Sequence, residues 1–105
     1  MIAKTPKPPY YTVVFTSTRN DIDDGYSEMN ALTEEMVEHY PGYFGNEYFR
    51  DENGFGIHVS YWKDMESIME WKNDELHKTA KEFGIEKWYT EYKVRIAKVE
   101  YDSEM

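Results

Sequence analysis

Aromatic side chains and a histidine are concentrated in the last third of the chain, where they could bind and act on a flat organic molecule. Trp71 and His77 lie in a segment that predicts a helix ending near Gly84. A strand rich in aromatic residues is predicted from Trp88 to about Tyr101. Large planar side chains and one imidazole, drawn from two adjacent elements, are the components of such a pocket.

His77 is the strongest candidate for a catalytic residue. An imidazole can remove a proton from a phenol as a general base, or hydrogen-bond to a quinone-like carbonyl. Trp62 and Trp71 could stack on a planar substrate, and the hydroxyls of Tyr61 and Tyr92 could reach its polar edge. The alternatives are structural: a histidine bonded to a neighbouring strand, tryptophans that anchor the core or a dimer, and tyrosines bonded to backbone carbonyls.

The elements that must position these residues follow from the apolar pattern. Four strand-like segments are rich in β-branched and aromatic residues: 10–18, 43–50, 55–62 and 88–101. Two segments with helical spacing of apolar residues lie between them: about 25–39 and 65–83. This order predicts an α+β, ferredoxin-like split βαβ fold, with a four-stranded antiparallel sheet and helices on one face.

The second helical segment contains a signal that affects the candidate pocket. On one unbroken helix Trp71 and His77 would lie about 120° apart, because successive residues are rotated by about 100°. Asn73 and Asp74 both favour caps over helix interiors and could interrupt the helix between them. Two short helices meeting there would let both side chains face the same space.

Caps and turns are predicted at several element ends. Aspartates before the first helix are N-cap candidates: Asp21, Asp23 and Asp24. Asn53-Gly54 predicts a hairpin turn with positive φ angles. Asp64 can cap the second helix, and Gly84 is a candidate for the C′ position after it.

Length and composition indicate one globular domain, 1–105, with a Pro-rich N-terminal arm at 1–9. The chain is 40% hydrophobic and 31% charged, with a net charge of −9 that argues against nucleic acid and anionic membranes as partners. The absence of cysteine excludes disulfides and thiolate chemistry. No apolar run predicts a signal peptide or membrane span, so the expected location is the cytoplasm.

Histidines and glutamates provide no recognisable metal or cofactor motif. The three histidines, His39, His58 and His77, lack the spacing of a metal site. The chain has no phosphate-binding glycine motif. Four glutamates of the first helix are interpreted as its solvated face: Glu28, Glu34, Glu35 and Glu38.

Apolar residues on both faces of the strands predict a homodimer. In the third strand Phe55, Ile57 and Tyr61 alternate with His58 and Trp62. Helices can cover only one face of the sheet, so the second apolar face is most simply covered by another copy of the chain. A fourth strand of about 13 residues would also have spare length to reach a partner.

Several motifs together resemble the antibiotic biosynthesis monooxygenase (ABM) domain family, and within it the YqjZ-like monooxygenases. They extend over nearly the whole chain: Ile2-Ala-Lys-Thr-Pro, Pro8-Pro-Tyr-Tyr11, Gly56-Ile-His-Val-Ser-Tyr-Trp62, Trp71, His77, Ala80, Gly84, Trp88-Tyr89, Tyr92 and Val94-Arg-Ile-Ala-Lys-Val99. The resemblance implies a dimeric α/β barrel, in which two sheets pack face to face. It places a pocket inside each subunit, between sheet and helices.

The resemblance also implies two kinds of chemistry. Some members of the family oxidise polycyclic aromatics with O₂ and need no metal or flavin. Others degrade haem, with an Asn on the first strand, a Trp on the second helix and a His ten residues later. Trp71 matches that Trp, but Lys81 stands at the His position and the first strand, 10–18, contains no Asn. Neither haem nor flavin is therefore supported by a motif.

Three hypotheses follow. The leading one is a cofactor-independent monooxygenase that acts on a small aromatic or quinone-like molecule in each subunit of a homodimer. His77 would be its base, and Trp62, Trp71 and Tyr92 the pocket walls. The second is a non-catalytic binding or sensing module of the same fold, and the third a haem-binding protein with His77 as axial ligand.

Overall fold

A four-stranded antiparallel sheet carries three helices on one face, which confirms the predicted ferredoxin-like α+β fold. The computed structural model describes residues 2–105, apart from the side chain of Glu86. The elements are β1 (Tyr10–Arg19), α1 (Tyr26–Glu38), β2 (Tyr43–Arg50), β3 (Phe55–Trp62), α2 (Met65–Lys72), α3 (Glu75–Phe83), a π-helical turn (Gly84–Trp88) and β4 (Tyr89–Val99). The strand order is β2-β3-β1-β4.

The core lies between the helices and the sheet face that they cover, which we call the inner face. Val13 in the central strand β1 and Trp62 in β3 pack there against Val37 of α1 and Ile68 of α2. Trp62 and Ile68 are both 0% exposed. Phe15, two residues after Val13, points to the same face, because side chains alternate along a strand.

The predicted break between Trp71 and His77 is confirmed. Helix α2 ends at Lys72, and Asp74 is the N-cap of α3, where its carboxylate accepts a hydrogen bond of 2.9 Å from the backbone N–H of Leu76. Tyr40 of the α1–β2 loop donates a second hydrogen bond of 2.6 Å to the same carboxylate. The break therefore arises from a local cap that a tertiary contact stabilises.

The region around Gly84 differs from the prediction. Gly84 has φ −59°, a right-handed helical value, and the chain continues through the π-helical turn to Trp88. A Cβ atom at Gly84 would lie 2.6 Å from the ring of Tyr89, so the position needs glycine for this close approach rather than for a left-handed cap. Strand β4 accordingly begins at Tyr89.

The predicted cap of α2 is confirmed, because the Asp64 carboxylate accepts a hydrogen bond of 2.8 Å from the backbone N–H of Ser67. The end of β4, the hairpin turn and the N-cap of α1 differ from the prediction. β4 has 11 residues and ends at Val99, paired with Tyr10 at the start of β1, so its predicted spare length is absent. The hairpin turn takes a positive φ of +91° at Gly54 and not at Asn53. Gly25, and none of the predicted aspartates, occupies the N-cap of α1.

The opposite, outer face of the sheet has no helix over it among residues 2–105. Apolar side chains of β2 and β3 are exposed there: Phe49 is 74%, Phe55 48% and Ile57 41% exposed. The corresponding face of β4 is mostly polar, with Glu91, Lys93 and Arg95. None of the helices in the described chain is long and apolar enough to cross a bilayer.

Candidate functional site

A cavity of about 500 Å³ lies between the inner face and helices α1 and α3, a size typical of small-molecule sites. Its lining is rich in aromatic side chains, with Phe15, Tyr26, Tyr43, Tyr48, Trp71, Trp88, Tyr89 and Tyr92. Ionisable and polar side chains include Glu34, Arg50, His58, Ser60, Lys72, His77 and Lys81. The cavity therefore offers stacking surfaces together with a few groups that can donate, accept or transfer protons.

His77 and Trp71 lie together in this cavity. Their ring centroids are 4.2 Å apart, and Trp71 in turn packs on Trp62 at 5.1 Å. This contact depends on the break at Asp74, which turns α3 so that His77 faces the side chain of Trp71. Tyr92 of β4 also lines the cavity, so three of the predicted site residues share one space.

The environment of His77 favours the neutral imidazole. Burial, followed by the positive charges of Lys81 and Lys72, lowers the pKa of His77 to about 4, although Asp74 opposes the shift. At neutral pH the ring is therefore unprotonated, which is the form of a general base, but its lowered pKa makes it a weak one. The same two lysines are well placed to stabilise an anion that such a proton transfer would leave in the cavity.

Two predicted substrate-binding residues, Trp62 and Tyr61, do not line the cavity. Trp62 lies beneath Trp71 in the core, where its Nε1 donates a hydrogen bond of 2.9 Å to Oγ of Ser60. Tyr61 projects to the outer face, and its hydroxyl donates a 2.6 Å hydrogen bond to Glu47. Adjacent residues of a strand point to opposite faces, so Tyr61 and Trp62 could not have shared one pocket.

A second imidazole, His58, lines the cavity from β3. Its Nε2 atom lies 4.0 Å from Oε1 of Glu34 on α1, and both side chains are partly exposed. Burial lowers the pKa of His58; Glu34 opposes this shift and Arg50 adds to it. The interpretation of Glu34 as part of a purely solvated helix face is corrected, since its side chain faces this cavity.

Tyr89 is a cavity residue that strand alternation does not predict. A register shift at Thr18 and Arg19 pairs Arg19 with Tyr89 and brings the ring onto the inner face. Burial, followed by its interaction with Tyr26, raises the pKa of the Tyr89 hydroxyl. The Tyr89 side chain thus contributes a neutral, weakly acidic wall. The one sequence signal for it is its place in the aromatic run after Gly84.

Arg50 closes the cavity near the hairpin. Its guanidinium donates hydrogen bonds to Oγ of Ser17 at 2.8 Å and to the carbonyl of Gly54 at 2.6 Å. These bonds engage both terminal nitrogens in holding the sheet edge.

Between residues 2 and 105 we find no group of three or more histidine, aspartate or glutamate side chains that could hold a metal ion.

Comparison of the sequence with known proteins identifies the same family that the sequence motifs resemble. The sequence pattern of the antibiotic biosynthesis monooxygenase family matches residues 24–82. The uncharacterized protein YqjZ of Bacillus subtilis (strain 168) is 42% identical over 99 residues, which cover 94% of this chain and 87% of the relative.

Solved structures show the same fold at low sequence identity. Protein SO0527 of Shewanella oneidensis superimposes with a TM-score of 0.75 at 8% identity, over 87% of this chain and 91% of that one. SnoaB of Streptomyces nogalater, described as a cofactor-independent oxygenase, gives a TM-score of 0.70 at 10% identity, over 93% and 98% of the two chains. With a family pattern that covers more than half of its residues and a relative of 42% identity, this chain belongs to the antibiotic biosynthesis monooxygenase family.

Proposed function

We propose that this protein is a cofactor-independent monooxygenase that acts on a small aromatic or quinone-like molecule in the cavity between sheet and helices. The observation that carries the proposal is the contact between His77 and Trp71, whose ring centroids are 4.2 Å apart in a cavity of about 500 Å³ that is rich in aromatic side chains. Family membership supports an oxygenase, and the oxygenase SnoaB has the same fold. The substrate class rests on the cavity lining.

The proposed reaction needs a base, a stacking surface and O₂. His77 removes the proton of a phenolic substrate held against Trp71 and Tyr92. The electron-rich anion transfers one electron to O₂, and the resulting radical and superoxide combine at a ring carbon to form a peroxide anion. This anion takes the proton back from His77 and becomes a hydroperoxide. Loss of water then leaves a carbonyl, so that a phenol and O₂ give a quinone and water. The lysines beside His77, Lys72 and Lys81, stabilise the anion until O₂ reacts.

The test is aerobic incubation with naphthols, hydroquinones and anthrones, with O₂ uptake and product formation as readouts. We expect turnover of at least one class by the native protein. In Ala80→Trp, which fills the cavity, the rate should fall by about a hundredfold because the substrate is displaced from His77.

The matched control is Ala31→Trp, because Ala31 is exposed on α1 and does not line the cavity. This variant should keep the native rate. Absence of O₂ uptake with every compound class, or an equal loss in both variants, would contradict the proposal.

A non-catalytic binding module is the second candidate, and the lowered pKa of His77 favours it. A group with a pKa of about 4 is a weak base towards a phenol unless the anion is strongly stabilised. Ligands of a binding module would be recovered unchanged after aerobic incubation. A Soret band on haem titration that disappears in His77→Ala would instead support a haem-binding protein.

We further propose that two copies associate through the outer face of the sheet. Its support is the exposed apolar group Phe49, Phe55 and Ile57, because such patches usually mark an interface. We expect sedimentation to show a dimer at micromolar concentration. Ile57→Asp should weaken it more than about a hundredfold, since an unpaired buried charge costs about 3 kcal/mol or more.

Leu32→Asp is the control for the dimer experiment. Leu32 is also an exposed apolar residue, 49% exposed, but lies on α1 away from the outer face. This variant should sediment like the native protein. A native chain that sediments as a monomer at micromolar concentration would rule out the outer-face dimer.

A further inference from the structure

The two ends of the cavity differ in their ionisable side chains. Lys72 and Lys81 line the end of the cavity at His77, where Asp74 is the acidic neighbour. Glu34 lies 4.0 Å from His58 at the other end, where the Arg50 guanidinium also lines the cavity.

The two ends of the cavity lie far apart along strand β3. Trp71, beside His77, packs on Trp62 at a ring separation of 5.1 Å. His58 lies four residues before Trp62 in β3 and points to the same inner face. At about 3.3 Å per residue, the four residues from His58 to Trp62 extend over roughly 13 Å, and Ser60 lies between them. A molecule that contacts both ends must therefore be elongated, at least the size of two fused rings.

Each end also has a buried nitrogen without a hydrogen-bond partner. Among residues 2–105, Nε1 of Trp71 and Nε2 of His58 are two such atoms. Because neither has a bond to lose, a small rotation of either side chain towards a ligand costs no hydrogen bond. Each end of the cavity therefore has a nitrogen that is free to form a hydrogen bond with a ligand.

The chemistry of the two ends differs. The indole N–H of Trp71 can only donate, and the neighbouring lysines attract negative charge, so this end suits an acceptor oxygen or an anion. The Glu34 carboxylate can only accept, so the other end suits a donor. Arg50 also approaches this end; its terminal nitrogens are bonded to Ser17 and Gly54, whereas its buried Nε has no partner, so a group that both donates and accepts suits this end.

We propose that the cavity selects an elongated hydroxy-aromatic molecule, with its hydroxyl between Glu34 and His58 and an anionic or carbonyl oxygen at Trp71, Lys72 and Lys81. The hydroxyl donates to the Glu34 carboxylate and accepts from Nε2–H of His58. A methoxy or carbonyl group cannot donate and would place its lone pairs against the carboxylate. This inference rests on the proposed function only in taking the cavity as the ligand site.

The test is isothermal titration with three probes of one shape. They are a hydroxynaphthoate with hydroxyl and carboxylate at opposite ends of the ring system, its methoxy analogue, and the naphthoate that lacks the hydroxyl. The native protein should bind the hydroxynaphthoate about tenfold more tightly than either analogue, which corresponds to one hydrogen bond to a charged group.

Variants decide whether Glu34 and His58 cause this preference. Glu34→Gln and His58→Phe should each reduce the preference to less than about threefold, with circular dichroism confirming the fold. Glu35→Gln, a substitution of the exposed neighbouring glutamate, should keep it. Two variants at different elements keep the test decisive if one of them fails to fold.

The outcomes separate this inference from the proposed catalysis. Equal affinity for the three probes, no binding of any of them, or a preference unchanged in Glu34→Gln would overturn the inference. Aerobic turnover could still occur in each of those cases. Preference for the hydroxyl without O₂ uptake would support the inference and contradict the monooxygenase.

Discussion

Replacing His77 with alanine should lower kcat/KM for aerobic oxidation of a phenolic substrate by about 10²–10⁴-fold, the usual contribution of a general base. The alanine removes the only group of the proposed mechanism that takes the substrate proton. Trp71, Tyr92 and the lysines remain in place, so binding of the substrate should change far less than the rate. O₂ uptake at saturating substrate, together with titration of a non-reacting analogue, measures the two effects separately.

His39→Ala is the matched control, because His39 follows α1 and is exposed to solvent. It should keep the native rate. A His77→Ala protein with native O₂ uptake would remove the base assignment. Equal losses of binding and rate would indicate that the ring only positions the ligand against Trp71.

The pH dependence gives an independent check on the same residue. With its pKa lowered to about 4, His77 stays unprotonated down to that pH, so activity should decline towards pH 4 and not near 6.5. Stability has the matching sign. Below the unfolded pKa of 6.5, His77 binds a proton more readily in the unfolded chain than in the folded one. Its contribution to the free energy of unfolding therefore falls as pH drops from 6.5 to about 4.

Trp62→Ala should have the largest effect on stability, about 3–5 kcal/mol. Trp62 is completely buried, packs against Trp71 and Tyr43, and leaves a large void when truncated. Domains of this size are stable by only about 5–15 kcal/mol, so the variant should be close to unfolding at room temperature. Urea denaturation at one fixed protein concentration measures the difference.

Trp88→Ala is an informative comparison, since Trp88 is also buried, at 3% exposed, but lies at the edge of the cavity. Collapse of neighbouring rings into the existing cavity should make its loss less costly. If Trp62→Ala were destabilising by less than about 1 kcal/mol, Trp62 would not be the central packing residue of the inner face.

Local signals in the sequence determined most of the elements. The bounds of β2 and β3 agree with the prediction because alternation and a glycine turn are short-range properties. The break before α3 was likewise predictable, since a carboxylate next to a free backbone N–H caps a helix in any context. These signals sufficed to predict the sheet, the helices on one face and the presence of Trp71 and His77 near each other.

Only the tertiary structure decided which side chains share the cavity. The register shift that brings Tyr89 to the inner face depends on how β4 pairs with Arg19 of β1, and no residue type within β4 predicts it. His58 and Glu34 meet because α1 crosses the sheet above β3, a contact between residues 24 positions apart in the sequence. The sequence determined where side chains that can bind or catalyse lie along the chain. Packing and strand pairing between residues far apart in the sequence determined which of them face one another.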